Sequence, residues 1–131
     1  MRRVFDYIEK YKSRVAIVAN KATYTYEDLE LSSNDIALSL LHDKKDLKEQ
    51  RIGFLISPSF EYVSLLWGIW KAGGVAVPLN PSSKVSELRN LIIDSRIKLL
   101  ISEDDKIKRL SKLAQELKIN LKGIEKLIPL K

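Results

Sequence analysis

Short apolar segments and longer segments of helical periodicity alternate along most of this 131-residue chain. The short segments lack the polar–apolar alternation of a half-exposed strand, and the longer ones carry apolar residues three and four positions apart. Strands joined through helices form right-handed crossovers, and therefore a parallel sheet with helices on both faces. The sequence thus predicts an α/β fold with a layered, mostly parallel sheet. The predicted strands are 52–56, 75–79, 97–101 and 120–124, and the predicted helices are 59–72, 84–95 and 106–117.

The first part of the chain predicts a lead-in to this repeat. Thr25 and Asp28 have the spacing of a capping box, which would begin a long helix. Before that helix we predict a short helix over 4–11 and strands over 15–19 and 23–26, with a turn at Lys21 and Ala22. We interpret residues 1–131 as one subdomain, in which 1–50 lead in, 51–124 carry the strand–helix units and 125–131 form a tail into a further segment.

A helix end, a pair of glycines, a short strand and a loop between prolines follow one another in residues 71–81. Two glycines can take the positive φ that ends a helix, and they let a strand and a helix approach closely. Two prolines fix φ and remove ladder donors, so the strand should end at them. The polar residue between the prolines is predicted to bond the backbone in an Asx-type turn. The motif consists of Lys71, Gly73, Gly74, Pro78, Asn80 and Pro81.

Lys71 has two interpretations. A lysine beside two glycines could bind phosphate, but here the glycines follow the lysine and a strand follows them. The carboxyl end of a helix presents carbonyl groups, which repel an anion and attract a cation. We therefore favour interaction with the helix end over phosphate binding.

Several segments carry a family resemblance in addition to residues 71–81. Tyr24–Leu29 has the form of an aromatic strand that turns into a helix, and Arg51–Ser59 that of a buried strand and a polar loop. The pairs at 87–88 and 94–95, followed by the apolar residues 97–101, complete the pattern. Together they resemble the AMP-forming adenylate ligases, a superfamily of acyl-CoA synthetases, amino-acid adenylation domains and luciferases. The resemblance extends over about residues 1–102, and Asn80 favours the acyl-activating branch.

The resemblance implies the N-terminal portion of an acyl-CoA synthetase-like ligase with a role in fatty acid metabolism. The complete enzyme would use ATP, Mg²⁺ and CoA to convert a carboxylate to an acyl-adenylate and then to an acyl-CoA. Its ATP-handling loop, rich in Ser, Thr and Gly, would lie beyond these motifs, and none of the five glycines here stands in such a run. We expect no catalytic, cofactor-binding or metal-binding residue in this chain, and no activity of the chain alone. The alternative is a free-standing, non-catalytic α/β binding or dimerisation module derived from such a ligase.

The predicted helix over 59–72 has almost no polar face. A helix that is apolar all round is buried on most sides. We therefore expect Phe60, Trp67 and Trp70 to contact either the remainder of the ligase chain or a second copy of this one. An acyl or aromatic pocket lined by the two tryptophans is the less favoured interpretation.

Two polar features receive structural interpretations. His42 is the only histidine and stands near a predicted helix end, where an exposed position is favoured over general-base catalysis. Asp104 and Asp105, after Glu103, are predicted to cap the helix over 106–117 rather than to hold a hard cation.

The composition excludes several classes of protein. The chain has no cysteine, which excludes disulfides, thiolate metal sites and a cysteine nucleophile. The net charge of +6 arises at the ends, with five basic against two acidic residues in 1–20 and eight against five in 103–131. No basic run is interleaved with aromatic residues, so we predict no nucleic-acid partner. The longest uncharged run, residues 72–83, contains two prolines and cannot span a bilayer. We expect a cytoplasmic protein with no transmembrane segment.

Overall fold

The computed structural model describes residues 8–128 and confirms the predicted alternation of strands and helices. The predicted helical residues 4–7 and the last tail residues, 129–131, lie outside the described residues. The helices are α1 (Ile8–Tyr11), α2 (Tyr26–Leu41), α3 (Phe60–Lys71), α4 (Val85–Asp94) and α5 (Ile107–Leu117), with 3₁₀ turns at Asp104–Lys106 and Ile124–Lys126. The strands are β1 (Val15–Ala19), β2 (Ala22–Thr25), β3 (Arg51–Leu55), β4 (Val75–Pro78), β5 (Leu99–Ser102) and β6 (Asn120–Gly123).

The main sheet contains four parallel strands in the order β4-β3-β5-β6. The chain moves outward from β3 to β4 and then passes back over β3 to reach β5. The direction of winding therefore reverses between β3 and β5. In open α/β sheets such a reversal leaves a crevice outside the carboxyl ends of the two strands.

Two separate apolar cores cover the two faces of the sheet. Strand side chains alternate between the faces, so neighbouring residues of β3 and β5 enter different cores. The core beneath α2 and α3 includes Ile36, Ile52, Phe54, Leu65, Ile69 and Ile101. The core beneath α4 and α5 includes Leu55, Leu88, Ile92, Leu100, Leu110 and Leu113. These cores confirm the predicted layered sheet with helices on both faces.

Strands β1 and β2 form a separate antiparallel hairpin. Its turn lies one residue earlier than predicted, because Asn20 (φ 51°) and Lys21 (φ 64°) take the left-handed conformation that a two-residue hairpin loop requires. Asparagine tolerates that conformation better than most residues do. The predicted capping box is confirmed. The Asp28 N–H donates to Thr25 Oγ1 at 3.2 Å, and the Thr25 N–H donates to Asp28 Oδ2 at 2.9 Å.

The turn before β3 packs against the end of α3. Lys48 (φ 52°) and Glu49 (φ 63°) are both left-handed, and the Lys48 N–H donates to Asp46 Oδ1 at 2.8 Å. The Glu49 N–H donates to the carbonyl oxygen of Gly73 at 2.8 Å. Gly73 itself has φ +85°, and a Cβ atom there would collide with the Asp46 carboxylate. Gly74 does not take the positive φ predicted for the glycine pair. A Cβ atom at Gly74 would lie 3.0 Å from Ile69 Cγ2, so Gly74 fulfils only the second prediction, the close approach of strand and helix.

Helix α3 is covered by its own chain to a greater extent than its sequence suggests. Within the described residues, every side chain of α3 is buried or half-buried. One face packs on the sheet and α2, and the Phe60 ring stacks on Tyr24 with centroids 4.1 Å apart. Leu127 of the predicted tail is buried in the same core as α3, together with Ile124 from the end of the last predicted strand.

Candidate functional site

A pocket of about 490 Å³ lies at the carboxyl ends of β3 and β5, where the winding direction reverses. The loop after β3 forms one wall, and the loop after β5 and the 3₁₀ turn after β6 form the other. Parallel strands bring these three loops to one edge of the sheet. The lining residues are Asn20, Ile56, Ser57, Pro58, Ser59, Glu61, Glu103, Asp104, Asp105, Ile124 and Glu125.

Ser57 and Ser59 organise the loop after β3. The Ser59 hydroxyl donates to the carbonyl oxygen of Ser57 at 2.9 Å and accepts from the Tyr62 N–H at 3.2 Å. Ser59 is therefore the N-cap of α3, the role for which serine is preferred. The Ser57 hydroxyl points across the pocket and donates to Glu103 Oε1 at 3.1 Å. One hydrogen bond thus joins the two walls at the strand ends.

Glu103 is the most constrained carboxylate of the pocket. Its Oε1 also accepts from Lys106 Nζ at 3.0 Å. Burial would by itself raise the pKa of Glu103, but the hydrogen bonds from Lys106 and Ser57 and the charge of Lys106 together hold the pKa below its usual value. The carboxylate is therefore ionised at neutral pH and a weak proton acceptor.

Asp104 and Asp105 do not cap α5 as predicted. They form one 3₁₀ turn with Lys106, and Lys106, which makes no side-chain cap bond, is the N-cap of α5. The Asp104 Oδ1 instead accepts from the Glu125 N–H at 3.1 Å, which ties the turn after β6 to the loop after β5. Asp105 is exposed. The physical reason is spacing, since both aspartates precede the α-helical N-cap.

The pocket is acidic, and this limits the ligands that it can accept. Five carboxylates line it, and a triphosphate or a dicarboxylate would be repelled by them. The described residues therefore do not fit ATP. No group of three His, Cys, Asp or Glu residues in 8–128 could hold a metal ion. Ser57 and Glu103 do not form a nucleophile and general base, because a general base needs a pKa near the working pH and that of Glu103 is lowered.

Lys71 lies away from this pocket, in the last turn of α3. Its Nζ forms an ion pair with Glu30 at 3.0 Å and hydrogen bonds to Ser33 Oγ at 2.8 Å and Asn34 Oδ1 at 2.9 Å. Burial lowers the pKa of Lys71, and Glu30 partly opposes the effect. The dipole interpretation of the sequence is therefore incomplete: the side chain joins α3 to α2, because a whole carboxylate charge attracts it more strongly than a helix end does.

The loop after β4 holds the rest of the predicted motif. Strand β4 ends at Pro78, the first of the two prolines predicted to end it and one residue before the predicted bound at 79. Asn80 Oδ1 accepts from the Ser82 N–H at 2.9 Å, which confirms the Asx-type turn. The Val75 N–H donates to the carbonyl oxygen of Gln50, just before β3, and the Leu79 N–H donates to that of Phe54 in β3. The alternating nitrogen of Pro78 therefore faces away from β3 and removes no bond to that strand. Arg109, which the sequence did not single out, donates to the carbonyl oxygen of Ser83 at 2.7 Å. Asn80 and Pro81 thus belong to a loop that is bonded to α5, whereas the Lys71 side chain is bonded to α2.

The candidate interface residues are half-buried. Phe60 is engaged with Tyr24 inside the chain, and Trp67 and Trp70 are neither fully covered nor exposed. Their contact with further protein stays a prediction. His42 is exposed at the end of α2, as predicted.

Sequence reasoning did not identify the pocket as a site. A usable signal was present, since polar residues stand shortly after two apolar strands: Ser57 and Ser59 after β3, and the acidic residues at 103–105 after β5. The strand order that makes these loops neighbours could not be derived from the sequence.

Comparison with known proteins gives a family match over nearly the whole chain. The model of the family described as "AMP-binding enzyme" matches residues 4–128. The mitochondrial malonate–CoA ligase of Mus musculus is 36% identical over 115 residues, which cover 85% of this chain and 20% of the relative. The malonate–CoA ligase of Arabidopsis thaliana is 39% identical over 106 residues, covering 70% of this chain and 17% of the relative. The chain thus spans about a fifth of the length of these relatives.

Solved structures of similar fold also match nearly the whole chain. The crystal structure of VinN aligns with a TM-score of 0.79 at 26% identity, covering 95% of this chain and 32% of that one. The crystal structure of apo MatB from Rhodopseudomonas palustris aligns with a TM-score of 0.79 at 23% identity, covering 94% of this chain and 25% of that one. The second likeness concerns the fold alone.

Proposed function

Because this chain belongs to the AMP-binding enzyme family, we propose that it is the N-terminal scaffold portion of an AMP-forming acyl-CoA synthetase-like ligase. The observation that carries the proposal is the family match over residues 4–128, together with a span of only about a fifth of the malonate–CoA ligases. The portion supplies one layered sheet of a larger ligase fold and is inactive alone.

The electrostatics of the described residues support a scaffold role. The complete enzyme would join a carboxylate to ATP, release pyrophosphate, and pass the acyl group to CoA with release of AMP. Both ATP and a carboxylate are anions, whereas the pocket at the carboxyl edge of the sheet carries five acidic residues. We therefore assign ATP, Mg²⁺ and CoA binding to the remainder of the ligase.

Malonate is the first carboxylate to test. The relatives from Mus musculus and Arabidopsis thaliana are named malonate–CoA ligases. The asparagine at position 80 agrees with the acyl-activating branch that the sequence resembles. A role in fatty acid metabolism, through malonyl-CoA or another acyl-CoA, follows from the same assignment.

The site of action is proposed to be the cytoplasm, with a mitochondrial location as the competing outcome because the relative from Mus musculus is named mitochondrial. In the part of the chain that the structure describes, the helices do not combine the length and the hydropathy that a membrane span requires. Fractionation of the source cells, with an antibody against this chain, distinguishes the two locations.

One observation favours a second candidate, a free-standing non-catalytic binding or dimerisation module. Both cores of the sheet are closed within the chain, and α3 has no exposed side chain in the described structure. A chain that covers its own apolar surface in this way could be stable without a further domain.

The mass of the native gene product separates the two candidates. An antibody raised against this chain should detect a protein several times larger than 15.0 kDa if the chain is part of a ligase. The intact protein should then catalyse malonate-dependent exchange of pyrophosphate into ATP. A native product of 15.0 kDa would overturn the ligase proposal and support the module.

A further inference from the structure

The hairpin of β1 and β2 presents two valines to solvent, on the face that also carries Thr23 and Thr25. Val18 is 72% exposed, the highest value among the large apolar residues in 8–128, and Val15 is 56% exposed, the third-highest. Val15 pairs with Thr25 and Val18 pairs with Thr23. Because residues two apart on a strand share a face, the irregular register near Val15 places both valines on one face of the hairpin.

The opposite face of the hairpin is anchored to the subdomain. Ile17 pairs with Tyr24, and the Tyr24 ring stacks on Phe60 of α3. The N–H of Tyr26 donates to the carbonyl oxygen of Arg14 at 3.0 Å, which ties the start of β1 to the start of α2. The hairpin is thus held in place through its inner face, whereas Val15 and Val18 on its outer face are largely exposed.

The hairpin also has open edges. Within the described residues its sheet contains two strands only, so the outer edge of β1 carries backbone groups without a strand partner. Two-stranded sheets are marginal in water, and an open apolar edge is a template for another strand. Polar or charged residues normally protect such an edge, but β1 reads Val-Ala-Ile-Val-Ala.

We infer that the outer face and open edge of β1 dock a strand from the later part of the same ligase chain. This inference rests on the proposed function, under which about four fifths of the enzyme lies outside this sequence, given the 20% span of the relative. The partner segment is apolar and extended: it covers Val15 and Val18 with its side chains and bonds the edge of β1 with its backbone.

Hydrogen exchange tests the docking. The native mass of the gene product is measured first, and amide exchange is then compared between the intact product and the isolated 131-residue chain. We expect the amides of Val15–Ala19 to exchange about tenfold or more slowly in the intact product. Buried Leu99–Ser102 serves as the reference and should be protected in both samples.

A charged substitution gives a second readout within the intact product alone. Val18→Lys should make the β1 amides of the intact product exchange faster than those of the unsubstituted intact product, because a buried ammonium without a partner is expelled. The matched control is Ile93→Lys, at a position of α4 that is 54% exposed and outside the hairpin, and it should leave the exchange of β1 unchanged. This comparison remains decisive if the isolated chain does not fold.

The outcomes distinguish this inference from the proposed function. A gene product no larger than this chain would overturn both. A larger product whose β1 amides exchange as fast as in the isolated chain, or are unaffected by Val18→Lys, would overturn the docking and leave the ligase assignment intact. Slower exchange in the isolated chain as its concentration rises would identify a second copy as the occupant and also overturn the docking.

Discussion

Helices α2 and α3 pack together at Gly68, where a side chain has no room. A Cβ atom added to Gly68 would lie 2.5 Å from Cγ2 and 2.8 Å from Cβ of Ile36, and 3.1 Å from the carbonyl oxygen of Ser33. Both Ile36 and Ser33 are fully buried. Although alanine is the better helix former, we expect Gly68→Ala to destabilise the protein.

Two opposing terms set the magnitude. Alanine in a helix interior is favoured over glycine by about 1 kcal/mol. Overpacking a close-packed core costs about 1–3 kcal/mol. The upper end applies here, because the Cβ of Ile36 and the carbonyl of Ser33 are attached to the backbone and cannot rotate away. The free energy of unfolding should therefore fall by about 2 kcal/mol.

Urea unfolding of four further variants locates the cause. Ile36→Ala removes Cγ2, so it should relieve part of the clash and give a favourable coupling of about 1–2 kcal/mol with Gly68→Ala. Ile36→Val keeps Cγ2 and is the matched control, with a coupling near zero. Each substitution is measured alone and combined with Gly68→Ala. The reasoning is refuted if Gly68→Ala is as stable as the wild type, or if alanine and valine at position 36 couple equally.

Three other substitutions test the charges and the strained turn. Because the pKa of Glu103 is lowered, its ionised carboxylate stabilises the folded protein fully above the usual pKa of 4.5, and this stabilisation is lost as the pH falls through the folded-state pKa. The difference in unfolding free energy between the wild type and Glu103→Gln should therefore shrink on acid titration. A difference that stays constant would contradict this. Lys71→Met should lower the free energy of unfolding in urea by about 1–2 kcal/mol. The loss is smaller than for a fully buried ion pair, because the Glu30 side chain is 31% exposed. An unchanged free energy of unfolding would contradict a stabilising ion pair. Lys48→Gly should raise the free energy of unfolding by about 0.5–1 kcal/mol, since glycine takes the positive φ at no steric cost. Thermal unfolding checks this. The control is Lys112→Gly at an exposed position of α5, where glycine should destabilise the protein.

Local features of the fold were accessible from the sequence, but the candidate pocket was not. Three local predictions are confirmed: the Asx-type turn at Asn80, the capping box at Thr25 and the end of β4 at a proline. Each of them depends only on residues within about four positions along the chain. The bond from Ser57 to Glu103 spans 46 positions and exists only because β3 and β5 are neighbours. No local pattern reports such a pairing.

Lys71 shows the same division in a single residue. Its place in the last turn of α3 follows from the glycine pair beyond it. Its partners Glu30, Ser33 and Asn34 lie on α2, and only the packing of the two helices brings them within reach. The lowered pKa of Lys71 is accordingly a tertiary property, caused first by burial.

By itself the sequence determined the elements of this protein and their order, because apolar periodicity, glycine and proline act on the backbone within a few residues. The family followed from the resemblance of its motifs and from the family match over residues 4–128. The tertiary structure alone decided the strand order β4-β3-β5-β6, the acidic pocket between β3 and β5, and the self-cover of α3. These features depend on which distant surfaces exclude water from one another. Such a choice is made by the free energy of the whole packed chain and leaves no short-range signal in the order of its residues.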